Sequence, residues 1–310
     1  MRGEDTPRCL YRTRAAGAAV DRDLGSLRDH HGSDWAAPIE AEARDTTGDD
    51  VLADAVRAGR ESLGVRLLAA YALGSLAHGG FSPLVSDVDL ALILADPVRS
   101  SDATTLLRMA EDVRSAGSRL HARLSVFWGT PESLAGHAAG GRFPPLDRLC
   151  LLEHGRLLTG TEVRTGLPRP DRTELLVAGA EFALEALASD VLARARRPEL
   201  LLAAGVRWTT KIVLFPVRFL FTAETGCEGT NDAAVTHYLA RADAPGAALV
   251  SAALGWRANP PHPDHAVALL RAGLLPLYLH YLDDHASRLT AARRPELAEK
   301  FGQWRTRLID

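Results

Sequence analysis

The sequence predicts a small mixed α/β unit followed by an all-helical unit, on three observations. Short apolar runs bounded by Gly, Pro and Asp recur between residues 66 and 128, as buried strands do. Helical apolar spacing fills the stretches between them. Beyond Pro168 strand signals vanish and long helical patterns replace them. The expected organisation is an N-terminal extension over 1–47, an α/β domain over 48–165 and a helical substrate-binding domain over 166–310.

The extension is rich in Arg, Asp, Gly and Ala with little periodicity, which predicts a flexible segment. It contains His30-His31, without partner ligands at metal-binding spacing. From Asp49 to Leu63 the apolar positions Val51, Leu52, Val56 and Leu63 predict a helix. Arg66–Leu73 then reads as a strand ending at Gly74 and Ser75–Gly80 as a brief helix, with Asp87–Leu94 a second strand. Asp102–Ala116 predicts a helix, His121–Trp128 a third strand and Pro131–His137 another short helix. Arg156–Thr159 reads either as a strand or as an extended connection. In the second half, Asp171 with Glu174 three residues on is an N-terminal capping signature. Helices are expected near 171–191, 199–225 (with Pro216 inside), 232–240, 247–254, 265–288 and 295–308.

Composition narrows the function. The 310 residues carry a formal net charge of −3, so the basic face used for bulk nucleic-acid binding is not expected. No apolar run reaches the length of a membrane span and no signal-peptide core is present. The three cysteines, Cys9, Cys150 and Cys227, form neither a zinc spacing nor a disulfide framework. A cytoplasmic protein is the expectation.

The chemistry is concentrated at two places in the first half. Asp87 and Asp89 alternate across Val88, so their carboxylates share one face at the start of an otherwise apolar strand. Paired carboxylates repel unless a cation lies between them, and hard oxygen donors suit Mg²⁺. Upstream, Gly74-Ser75 joins a strand to a helix. Such a turn lets phosphate approach the backbone, presents free N–H donors and adds the Ser75 hydroxyl. A phosphate grip beside a metal pair belongs to phosphoryl or nucleotidyl transfer. His78, close to the turn, can contact nucleotide or serve a surface or capping role.

Tyr71-Ala-Leu-Gly74-Ser75, eleven residues, then Asp87-Val88-Asp89-Leu90 resembles the signature of the DNA-polymerase-β-type nucleotidyltransferase superfamily. With its helical second half the chain resembles the aminoglycoside adenylyltransferase branch. Arg218-Phe-Leu-Phe-Thr222-Ala-Glu-Thr-Gly226 is similar to the helix end that meets ATP there, and Arg218 takes the place of a triphosphate-contacting arginine. Cys227 stands where that branch has a basic residue. Arg207, Lys211 and Arg218 form one helical stripe, readable as a cationic wall for phosphates or as a solvated face; Trp208, Ile212, Phe215 and Phe219 form an opposite core stripe.

The resemblance implies a transferase that moves AMP from ATP to a hydroxyl of a small, aminoglycoside-like acceptor. Asp87 and Asp89 are the implied catalytic metal ligands, with Gly74, Ser75, Lys211 and Arg218 on the nucleotide. The superfamily's third carboxylate is missing, because His121–Trp128 contains no acid and Ser125 falls at that place. Three readings remain open. Glu181 and Glu185, four apart on a helix, supply a base; the reaction proceeds without a protein base; or the protein binds nucleotide without turnover. Modification of a protein or RNA partner is a further alternative.

Overall fold

A computed structural model describes residues 46–310. Most of the expected N-terminal extension, with His30-His31, lies outside the described residues. Thr47, assigned by the sequence to that extension, is instead the N-cap of the first helix and shares a capping box with Asp50.

The sheet unit runs α1 (Gly48–Leu63), β1 (Leu67–Ala72), α2 (Gly74–His78), β2 (Val88–Leu94) and α3 (Asp102–Ser115), then β3 (Leu124–Gly129), α4 (Pro131–Leu134), α5 (Pro145–His154) and β4 (Arg156–Gly160). Strand order is β3-β2-β1-β4; β1 lies antiparallel to β2 and β4, and β2 runs parallel to β3. The sheet is therefore mixed, as predicted. The segment read as a connection or a strand after Gly155 is a strand. The third strand starts three residues later than expected, because His121–Arg123 forms a 3₁₀ turn.

The alternation of β2 explains why it is apolar throughout. Val88, Leu90, Leu92 and Leu94 pack under α1 and α3 with Val51, Leu52, Leu106 and Met109. Ala91 and Ile93 point to the other face with Tyr71, Phe127, Cys150 and Leu151 of α5. Both faces are covered, so no polar side chain is tolerated until the strand start, where the two acids stand.

The second unit comprises α6 (Arg172–Phe182), α7 (Ala188–Arg194), α8 (Pro198–Ala203), α9 (Val206–Thr225), α10 (Asn231–Leu239), α11 (Ala247–Gly255), α12 (Pro263–Ala291) and α13 (Pro295–Ile309). The Asp171–Glu174 capping box starts α6 as the sequence indicates. Two long expectations break. A π-helical turn over Ala183–Leu187 joins α6 to α7, and the helix expected over 199–225 divides at Gly205, whose φ of 95° no helix accepts. Helix α9 is the central element and packs against α6, α8, α10, α11 and α12. Ile212, Phe215 and Phe219 of its expected core stripe are buried, and the half-buried Trp208 donates its Nε1–H to Asp190 at 2.7 Å.

Gly160 closes the sheet. Its φ is 86°, and a Cβ there would meet the Leu68 carbonyl oxygen at 1.9 Å. Gly160→Ala is expected to cost roughly 2 kcal/mol or more through left-handed strain and overpacking against backbone. Urea unfolding checks this, and an unchanged midpoint would contradict the β1–β4 pairing.

Candidate active site

The two acids sit where β2 emerges from the sheet. Asp89 is buried, its backbone carbonyl accepting from Leu73 N–H at 2.8 Å just before the Gly74-Ser75 turn. Gly74 takes a φ of 47°, which the turn requires and a side chain would resist. Turn and acid pair are thus tied by the β1–β2 register, and Ser75, Asp87 and Asp89 all line one cleft. The sequence inference that the two carboxylates share a face agrees with this placement.

The cleft, part of it open to solvent, spans about 570 Å³. Its second wall comes from the helical unit: Thr210, Lys211, Leu214, Phe215 and Arg218 of α9, Asn231 and Asp232 at the start of α10, and Arg257 just after α11. The arginine and lysine stripe is therefore not a solvated face. Arg207 and Lys211 both bind Asp87, one to each carboxylate oxygen. Burial acts to raise the Asp87 pKa, but the two cations and their hydrogen bonds overcome it and hold the carboxyl well below its usual range. Burial and the Arg207 charge push the Lys211 ammonium down, with Asp87 opposing them.

Arg218 is 7% exposed, lies 4.9 Å above the Phe215 ring and donates Nε–H to the Gly229 carbonyl at 2.7 Å. That approach needs glycine, since a Cβ on Gly229 would stand 2.3 Å from the Arg218 carbonyl oxygen. Behind Arg218, Glu153, His154 and Glu228 gather at the seam between the units. His154 Nε2 lies 3.4 Å from Glu228, and the His154 ring packs edge-on against His78 at 5.0 Å. His78 itself lines the cleft.

Two hydroxyls in the cleft wall, Ser75 Oγ and Thr210 Oγ1, are buried without a hydrogen-bond partner. Buried hydroxyls are ordinarily paired, so these two stand out among the residues that line the cleft. Thr210 carried no sequence signal beyond its position one residue before Lys211.

The remaining sequence candidates do not join this group. Glu181 and Glu185 are exposed and are not among the residues that line the cleft, and Glu185 lies within the π turn over Ala183–Leu187. The structure therefore does not bring them to the acids as a base. No acid replaces them on β3. Ser125 pairs in register with Asp89 on the neighbouring strand, which is where the sequence placed the missing carboxylate. Sequence reasoning missed Asp232 and Arg257, which lie after α9 and reach the cleft only through the folded helical unit.

The oxygen donors suit a divalent cation, with two carboxylates on one wall and hydroxyls beside them. A metal at Asp87 would compete with Arg207 and Lys211 for the same oxygens. No helix among the described residues is long and apolar enough to cross a membrane.

No family model matches the chain. A stretch of 115 residues is 35% identical to chorismate synthase of Thermobifida fusca (strain YX), covering 34% of this chain and 29% of that protein; the chain spans less than a third of that relative's length. The crystal structure of spectinomycin adenyltransferase AAD(9) from Enterococcus faecialis, with ATP and spectinomycin, superimposes with a TM-score of 0.50 at 12% identity. That match covers 72% of this chain and 97% of the other. In fold, the chain resembles the aminoglycoside adenylyltransferase branch of the nucleotidyltransferases, as its Gly-Ser and Asp-x-Asp motifs imply.

Proposed function

We propose that this protein transfers a nucleoside monophosphate, AMP from ATP, to a hydroxyl of a small acceptor. The observation that carries the reading is the single cleft in which the Asp87–Asp89 wall faces the Lys211–Arg218 wall across Ser75. One wall suits a cation and the other suits phosphates, the pairing that nucleotidyl transfer needs.

Asp87 and Asp89 are the residues that would hold Mg²⁺, which when bound neutralises phosphate oxygens and withdraws charge from the reacting phosphorus. Ser75, with the N–H groups of the Gly74 turn, takes the β- and γ-phosphates, and Thr210 offers a second hydroxyl. Lys211 and Arg218 neutralise the triphosphate from the helical side. The acceptor oxygen bonds to the α-phosphorus as the bond from that phosphorus to the bridging oxygen breaks, and pyrophosphate leaves. The hydroxyl proton passes to solvent, because Ser125 offers no basic group beside Asp89. The acceptor belongs to the hydroxylated small molecules, of which an aminoglycoside-like compound is the first to test given the spectinomycin in the similar structure.

A second reading is a nucleotide-binding protein without turnover, favoured by Ser125 in register with Asp89. Loss of a general base costs on the order of 10²–10⁴-fold in rate while leaving binding intact. The readings separate with α-labelled ATP, Mg²⁺ and an acceptor panel followed by mass shift. Transfer that Asp89→Ala lowers by roughly 10²-fold or more supports the enzyme. ATP-induced thermal stabilisation without any label transfer supports the binding protein. Full transfer by Asp89→Ala would remove the metal assignment.

The Asp87 ion cluster makes a pH prediction. Its folded pKa lies below the ordinary 3.8, so its stabilisation is complete above that value and is lost as pH falls towards the folded pKa. Asp87→Asn is expected to be less stable than wild type by a constant margin between pH 6 and 5, and the margin should narrow below about 3.8. Urea midpoints across pH 6 to 3 measure it. A margin that does not shrink on acidification would show that Asp87 is not ionised in the fold.

A further inference from the structure

Arg257 has no place in the reaction described so far, yet it is built into the cleft. It follows α11, is half-buried, and lines the same space as Ser75, Asp87, Asp89 and Arg218. Its position is fixed from both sides. The guanidinium donates to the Gly80 carbonyl at 2.7 Å, in the loop after α2, and its own carbonyl accepts the Ser82 hydroxyl. Arg257 thus fastens the helical unit to the loop that leaves the Gly74-Ser75 turn.

Its electrostatic position is unusual. Arg257 and Arg218 stand close enough that the charge of Arg257 opposes protonation of Arg218, alongside the larger effect of burial. Burial also disfavours the charge on Arg257. Asp232 faces Arg257, while Glu228 and Asp89 face Arg218. Two partly desolvated guanidiniums on one cleft wall repel, and an anion between them relieves that cost. Asn231 and Asp232, at the start of α10, line the same wall, and the Asp232 carboxylate offsets part of the cationic charge there.

We propose that Arg257 and Arg218 form a two-arginine clamp for the pyrophosphate end of the nucleotide, a role that rests on the nucleotidyl-transfer reading above. The clamp holds the β- and γ-phosphates during transfer and the pyrophosphate product after it. Arg257 is bonded to the Gly80 loop without any ligand, so its end of the clamp is already in place before the nucleotide binds. The ligand class is inorganic pyrophosphate or the tail of a nucleoside triphosphate, and AMP lacks the groups it grips.

Calorimetric titration of the full chain with Mg²⁺–pyrophosphate, Mg²⁺–ATP and AMP tests this on wild type, Arg257→Gln and Arg257→Lys. Arg257→Gln is expected to weaken pyrophosphate and ATP roughly ten- to hundred-fold, from the loss of charge-assisted hydrogen bonds. AMP affinity should stay within about two-fold. Arg257→Lys, which keeps the charge but not the fork, should fall between. Wild-type pyrophosphate affinity in Arg257→Gln overturns the clamp, as does equal loss of AMP and pyrophosphate, which would assign Arg257 to scaffolding through Gly80. If Arg257→Gln does not fold, Arg257→Lys at an unchanged melting temperature decides: weakened pyrophosphate supports the clamp and unchanged affinity overturns it. A wild type that binds neither ATP nor pyrophosphate overturns the nucleotide reading as well, which separates the two failures.

Discussion

The contact on which the site depends is the neutralisation of Asp87 by Arg207 and Lys211. A carboxylate with little exposure cannot stay charged without partners, and here both partners come from the other structural unit. Removing one side of such a buried pair typically costs about 3–5 kcal/mol, because the remaining charge is stranded. Helix α9 must therefore approach the start of β2. Once it does, helical spacing carries the rest: Thr210 and Lys211 face the acids, and Arg218, two turns on, reaches over Phe215 to the far end. The cleft follows from that one contact.

The same charges serve the proposed reaction by exchanging partners. Before nucleotide arrives, the α9 cations satisfy Asp87 directly. A metal on the acid wall and phosphates on the cationic wall would give each group a new partner of the right sign. Each buried ion would exchange one partner of opposite sign for another, so the rearrangement avoids leaving a buried ion bare. Lys211, whose ammonium burial and Arg207 already disfavour, would be relieved by a triphosphate beside it.

What the sequence revealed and what it hid divide along a physical line. Gly74-Ser75 and Asp87-Val88-Asp89 were legible because a turn and a strand alternation are local, and register then joined them without further information. The cationic stripe was legible as a stripe, but its partner Asp87 was not, because the contact joins residues more than a hundred positions apart. Glu181 and Glu185 misled because helical spacing tells that two residues share a side but not where that side turns, and theirs is exposed and away from the cleft. The helix expected over 199–225 misled through Gly205, whose left-handed backbone no periodicity announces. Helix α5 went unread, although its Cys150 and Leu151 cover the sheet face opposite α1 and α3. Arg257 gave no signal at all, since its meaning comes only from Gly80 and Ser82 across the fold.

Ser125 decides how these parts combine. A third carboxylate beside Asp89 would add negative charge to a wall whose first acid already needs two cations. With serine there, Arg207 and Lys211 suffice for Asp87, and the wall carries no third acid that needs a partner from α9. In the proposed reaction the missing acid would bear most on proton removal from the acceptor, while the cationic wall that faces the phosphates does not involve it. An acceptor with an intrinsically acidic hydroxyl, or one that carries its own basic group beside the reacting oxygen, needs least from the protein. Amine-bearing polyhydroxylated compounds meet that condition, which gives a reason within the site itself to place them first among the acceptors proposed above.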